Sequence, residues 1–286
     1  MRRPADTVSA RDRWLALALL LGAVLAAYLL LVHPWFTQPM RALGEHIDTL
    51  QERELRIRRE LDQAPEVRAA LDQARDVRRG QRPALVVIHY TGMADAESAR
   101  ARLCDPLAEV SAHWLIREDG RTEALVPEDR RAWHAGAGSW QGREDVNSRS
   151  IGIELANPGD RPFPEPQMAA LESLLRGIMA RWDIGPAGVI AHSDMAPGRK
   201  IDPGPRFDWQ RLAREGLAVP GGQGPDLPLA DSLTRIGYPP VDPGPRLAAF
   251  RLRFRPWGTG AECAADRRCA AFVAAFLTAS EDGAGV

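Results

Sequence analysis

The longest apolar stretch of the chain runs from Trp14 to Val32, 19 residues without a charge and rich in Leu and Ala. About 20 such residues span a bilayer core as a helix, whereas the apolar part of a cleavable signal is about 7–15 residues long. The run predicts a membrane helix over 14–32, and Arg2, Arg3, Arg11 and Arg13 ahead of it place residues 1–13 in the cytoplasm and the rest outside. The AAYLLLV stretch offers no small-x-small cleavage site before His33, which favours an uncleaved signal anchor over a removed signal peptide. Beyond it, Leu43, Leu50, Ile57 and Ala64 recur every seven residues, with Ile47 and Leu61 at the complementary positions and Glu54 as the exception. From Arg41 to Arg79 nine acids balance nine arginines, the pattern of an exposed helix, and Pro65 interrupts it. Residues 33–80 therefore read as a helical spacer, either a plain one or a dimerising one through residues 41–64.

The pattern then changes period. ALVVIHYTG is a continuous apolar run that predicts a buried strand closed by Gly92. In SRSIGIELANPGD, Ile151, Ile153 and Leu155 alternate with Gly152, Glu154 and Ala156, so the acid shares its strand face with small residues, as an open cleft requires. A Gly/Pro-rich linker over 217–228 separates a domain at 81–216 from three apolar segments over 229–280, PLADSLTRIGYP, RLAAFRLRFRP and CAADRRCAAFVAAFL, which predict three short helices.

Composition matters at one point. The 37 basic residues include a single lysine, Lys200, inside AHSDMAPGRKIDPGPRFDW. Lysine places a compact charge on one developing anion, whereas the arginine fork suits bidentate partners. His192 and Asp202 flank it in a segment whose Pro and Gly content predicts a loop, and Pro203 biases Asp202 to an extended backbone, so Lys200 and Asp202 project to the same side. His89 ends the first predicted strand. Two His and one Asp form a set that leaves a fourth zinc position open, the arrangement of catalytic rather than structural zinc. IDPGPR at 201–206 recurs as VDPGPR at 241–246, but Asp242 has neither the Lys nor the His of the first copy and reads as part of a turn.

VVIHYTG, VSAHWLI, AWHAG, NSRSIGIELAN and IAHSDMAPGRKIDPG follow in this order from residue 83 to about 215. Together they resemble the zinc-dependent N-acetylmuramoyl-L-alanine amidases of the amidase-2 type, which are related to the peptidoglycan recognition proteins. The resemblance implies an α/β fold with a mixed central β-sheet flanked by helices. It implies His89, His192 and Asp202 as zinc ligands, Glu154 as catalytic acid/base and Lys200 as the group that steadies the oxyanion. Trp133 and His134 match the substrate-cleft segment, and His113 a position that is not a ligand. The implied substrate is peptidoglycan or a muropeptide, cut between the lactyl group and L-alanine. With the anchor, this places the catalytic domain in the periplasm on the inner membrane.

Residues 12–79 resemble the anchor and periplasmic helix of type II secretion assembly protein M. The C-terminal segments, through IGY and an aromatic motif ending in RP, resemble a small three-helix peptidoglycan-binding domain, although VDG is missing. That segment either binds peptidoglycan or supports the amidase. A net charge of −1 without a basic stripe argues against nucleic acid, and nothing calls for a nucleotide or organic cofactor. Cys104, Cys263 and Cys269 make no disulfide framework. A Cys263–Cys269 bridge requires the last helix to start between them; buried free thiols are the alternative. Besides an active amidase, the sequence allows a recognition-only module of the same fold or a membrane scaffold of a secretion apparatus.

Overall fold

A computed structural model describes residues 10–28, 47, 50, 78 and 80–283. The chain divides into two compact units, Met1–Arg68 and Ala69–Val286. In the first, helix α1 covers Ala10–Ala27. Its first turn holds Arg11, Asp12 and Arg13, and no helix among the described residues is long and apolar enough to cross a membrane. The span expected over 14–32 is therefore not confirmed; residues 29–32 lie outside the described residues. The spacer over 33–80 and its seam at 41–64 likewise fall almost entirely outside them.

The second unit is built on a five-stranded sheet in the order β3-β2-β4-β1-β5, comprising β1 Leu85–Tyr90, β2 Trp114–Ile116, β3 Thr122–Ala124, β4 Ser150–Leu155 and β5 Val189–Ala191. Strands β2, β4, β1 and β5 pair in parallel and β3 is antiparallel to β2, so the sheet is mixed, as expected. Around it lie helices α2 Ala96–Cys104, α3 Val146–Arg149, α4 Glu165–Trp182, α5 His192–Met195, α6 Trp209–Arg214, α7 Leu229–Ile236, α8 Pro243–Phe254 and α9 Ala264–Gly283.

The alternation read from the sequence assigns the two faces. Val86, Ile88, Ile151, Ile153 and Leu155 meet Met168, Leu171, Leu175 and Ile178 of α4 in one core cluster. Leu85, Val87 and Ile190, on the opposite face, join Leu233, Phe250, Phe254, Ala270 and Val273 of the C-terminal helices in another. The three expected helices thus exist, yet they form no separate module: they cover the second face of the sheet. A face of fully buried strands needs such a cover. Nor is 217–228 a free linker. Leu217, Ala218 and Val219 are buried, Gly224 N–H donates to the Arg268 carbonyl at 3.0 Å, and a Cβ on Gly224 would meet the Phe272 backbone at 2.8 Å.

One smaller expectation is corrected, and the alternative left open at the cysteines is decided for free thiols. VDPGPR is the start of a helix: Asp242 is the N-cap of α8 and Pro243 its first residue, where a missing N–H costs no hydrogen bond. All three cysteines are free. Helix α9 does start just after Cys263, but the Cys263 N–H and thiol both turn to the Asp266 carboxylate, at 3.0 and 3.2 Å, while Cys269 is buried in the core.

Candidate active site

Parallel strands present their C-terminal ends on one edge, and loops there collect functional groups. Strand β1 carries His89 near that end, β4 carries Glu154 and β5 runs directly into α5, whose first residue is His192. The β1/β4 register sets His89 opposite Glu154 and Val87 opposite Gly152. Both functional side chains therefore leave the sheet on one face from adjacent strands, about 4.8 Å apart at the backbone. Asp202 arrives from the Pro/Gly-rich loop, its carbonyl accepting from Ser193 N–H at 3.0 Å; the Asp202–Pro203 peptide is cis.

His89 Nδ1, His192 Nδ1 and Asp202 Oδ2 form a triangle whose three sides are each 2.9 Å. All three residues are buried. The surrounding hydrogen bonds assign the protons. His192 Nε2 lies 2.9 Å from the Ala135 carbonyl, which only accepts, so the tautomer with its proton on Nε2 satisfies this contact and leaves Nδ1 as a lone pair. Ser150 Oγ donates to the Val146 carbonyl at 2.5 Å and therefore accepts from His134 Nε2 at 3.2 Å. His134 Nδ1 is then an acceptor for His89 Nε2–H at 3.0 Å, which leaves His89 Nδ1 as a lone pair too. Burial, then the neighbouring His192, lowers His89 to about 4, so this ring is neutral at pH 7.

Three lone-pair donors facing one point, with no proton between them, repel one another unless a cation joins them. Tetrahedral zinc, with bonds of about 2.0–2.1 Å, has ligand edges of about 3.3 Å, so the observed triangle needs to open only slightly. The residues fit the metal.

Glu154 projects beside this triangle. Its Oε2 is out of contact with solvent and has no hydrogen-bond partner among the described residues. Burial, followed by the Asp202 charge, pushes its pKa up to about 8 against the opposing pull of Lys200. A carboxyl so displaced suits proton transfer near neutral pH. Lys200, Trp133, His134, Arg102, Tyr90 and Ile201 line the cleft of about 560 Å³ that contains the triangle and Glu154.

His134, assigned to the cleft by resemblance, is only 8% exposed and forms the support of His89. Its ring occupies the space a side chain at residue 152 would need, since a Cβ there would meet it at 2.4 Å. Asn147 Oδ1 fixes this loop by accepting from His134 N–H and Ala135 N–H at 3.0 and 2.8 Å. Trp133 forms part of the wall, with the Arg131 guanidinium 3.8 Å over its ring. His113 lies outside the triangle, with Nδ1 accepting from Gly152 N–H at 2.9 Å and Nε2 lying 2.8 Å from Arg78 Nη2 and 3.0 Å from the Arg130 carbonyl. Ser150 and Asn147 were not singled out from the sequence, because a hydroxyl or amide in NSRS has no meaning until the strand pairing brings it under the site.

Residues 79–205 match the family model described as N-acetylmuramoyl-L-alanine amidase. The N-acetylmuramoyl-L-alanine amidase AmiD of Escherichia coli is 39% identical, over 60% of this chain and 75% of its own length. A solved AmiD complex, described as holding the substrate anhydro-N-acetylmuramic acid-L-Ala-D-gamma-Glu-L-Lys, superposes with a TM-score of 0.61 over 70% of this chain and 91% of that one, at 33% identity. AmpDh3 of Pseudomonas aeruginosa, solved with an anhydromuramic pentapeptide, gives a TM-score of 0.60 over 67% and 91%, at 31% identity. A further likeness, 55% identical over 26% of this chain, is to the protein XpsM of Xanthomonas campestris pv. campestris, of which the chain spans only 31%. By its sequence, its fold and the ordered motifs at its site, the chain belongs to the N-acetylmuramoyl-L-alanine amidase family.

Proposed function

We propose that the protein is a zinc-dependent hydrolase of the amide bond between the lactyl group of N-acetylmuramic acid and the L-alanine of a stem peptide. One observation carries this reading: two imidazole Nδ1 atoms and a carboxylate oxygen converge at 2.9 Å beside a glutamate whose Oε2 is buried and has no hydrogen-bond partner among the described residues. His89, His192 and Asp202 would hold the metal, which supplies Lewis acidity toward the scissile carbonyl and acidifies water toward a pKa of about 7. Glu154 accepts the proton of the attacking water and returns it to the alanine nitrogen as the carbon–nitrogen bond breaks, leaving a lactyl carboxylate and a free amino group. Lys200 faces the carbonyl oxygen as negative charge develops there; one such donor contributes roughly 3–4 kcal/mol to transition-state stabilisation. The family resemblance and the amidases solved with muropeptide ligands support this choice of bond. A recognition-only module is not favoured, because such a module would be expected to lack a ligand or the acid, and both are present.

The test is incubation of the purified chain with an anhydro-muropeptide. Release of anhydro-N-acetylmuramic acid and of a peptide with a new L-alanine amino terminus is expected, and both should stop on chelation and resume with zinc. Intact substrate under zinc-replete conditions would exclude the activity.

The location of the enzyme is a second proposal, supported by sequence alone. The uncharged Trp14–Val32 run behind four arginines favours a catalytic unit outside the cytoplasmic membrane and attached to it at the N-terminus. Fractionation is expected to recover the full-length chain with the membrane; a soluble form beginning near residue 34 would instead indicate a removed signal.

A further inference from the structure

The His192 turn is held by residues that do not line the cleft. Asp194, two residues beyond His192 in α5, is fully buried. Its Oδ2 accepts from Ala191 N–H at 2.9 Å and from Arg253 Nη1 at 2.7 Å, and its Oδ1 from the Tyr238 hydroxyl at 2.6 Å. Arg253 Nη2 donates to the carbonyl of Val189, the first residue of β5, at 2.9 Å. One guanidinium thus grips both ends of the six-residue path from Val189, at the start of β5, to Asp194, just past His192. Arg253 comes from α8 and is 6% exposed; Tyr238 follows α7 and is 3% exposed. Neither lines the cleft; Arg253 belongs to α8 and Tyr238 to the segment that joins α7 to α8.

The grip is itself fixed. The Arg253 guanidinium lies 4.4 Å over the Trp209 ring, and Tyr238 packs edge-on against Trp140 at 5.2 Å. A four-residue helix such as α5 has no stability of its own, because the nucleation cost of a helix is recovered only over many more residues. Its orientation must be imposed from outside.

We propose that Asp194, Tyr238 and Arg253 are positioning residues for the metal ligand His192, so that the C-terminal helices complete the metal site from behind. This rests on the reading of His192 as a zinc ligand. Groups that orient ligands typically change metal affinity by about 10–100-fold when removed. The same helices contain a second buried ion pair, Arg251 with Asp266 at 2.6 Å, which joins α8 to the start of α9 and does not touch β5 or α5. It supplies the control for general loosening of the bundle.

The experiment measures the zinc dissociation constant of the full-length chain by chelator competition, for the wild type, Arg253→Met, Tyr238→Phe and Arg251→Met, with near-ultraviolet circular dichroism to establish folding. Arg253→Met and Tyr238→Phe are expected to bind zinc about 10–100-fold and about 10-fold more weakly, with Arg251→Met unchanged. Tyr238→Phe keeps the ring and its packing, so it decides the matter if Arg253→Met does not fold. Wild-type affinity in folded Tyr238→Phe and Arg253→Met, or equal weakening in Arg251→Met, would overturn the inference. If the wild type binds no zinc, the reading of the triangle itself fails, which is a distinguishable result.

Discussion

Replacing His89 or Asp202 by alanine is expected to remove both the zinc and the hydrolysis. The geometry leaves little for a remaining pair to hold: each of the three atoms is 2.9 Å from the other two, and the environment around them is buried. Apparent zinc-binding free energies of about 10–16 kcal/mol over four protein ligands correspond to about 3 kcal/mol for one ligand, or a loss of about two orders of magnitude in affinity at 1.4 kcal/mol per tenfold. His89→Ala carries a second cost, since His134 Nδ1 loses the N–H it accepts while remaining buried. Metal analysis after gel filtration should give about one zinc per wild-type chain and close to none in either variant. A variant that kept both zinc and activity would show that the ion, if any, binds elsewhere.

Much of this site was legible in the chain before its fold. The alternation in SRSIGIELANPGD assigned Glu154 to the face opposite Ile151, Ile153 and Leu155, and the core bears that out. What periodicity could not give was pairing: the placing of His89 beside Glu154 depends on the parallel register of two strands distant in sequence. The role of His134 was illegible for the same reason, because it depends on the absence of a side chain on Gly152 of another strand.

Composition misled in two places, each for a physical reason. Gly and Pro in 218–228 signal a backbone that is neither helix nor strand, but they say nothing about whether it is packed. Here Gly224 permits close approach to α9 instead of conferring freedom. IDPGPR and VDPGPR are nearly identical, yet one forms the ligand-bearing loop and the other opens α8. In the first copy, the Asp202 carbonyl is engaged by Ser193 of the site; in the second, the Asp242 carbonyl accepts the N–H of Arg246 within its own helix. Local sequence allows both outcomes and tertiary partners select between them.

Glu154→Gln and Lys200→Ala are expected to retain zinc and lose hydrolysis by at least two orders of magnitude, since proton transfer by a positioned group contributes about 100–10,000-fold. Lys200→Arg should also be poor, because a planar fork cannot place its charge where the ammonium sits. For Glu154 the structure adds a test that a merely structural residue would fail. Burial, then Asp202, raises its carboxyl to about 8, above the ordinary 4.5 of the unfolded chain. Between these two values the folded state binds the proton that the unfolded state has released, so this group makes stability fall as pH rises through the window and level off above it. Glutamine keeps the shape and cannot ionise. The metal-free Glu154→Gln protein should therefore melt with the wild type near pH 4 and above it at pH 8, where roughly each 1 kcal/mol corresponds to 2–4 °C. The expected signature is a variant that gains stability as it loses the reaction. Parallel melting curves from pH 4 to 8 would mean that Glu154 ionises freely in the fold, and would leave it without the environment a proton shuttle requires.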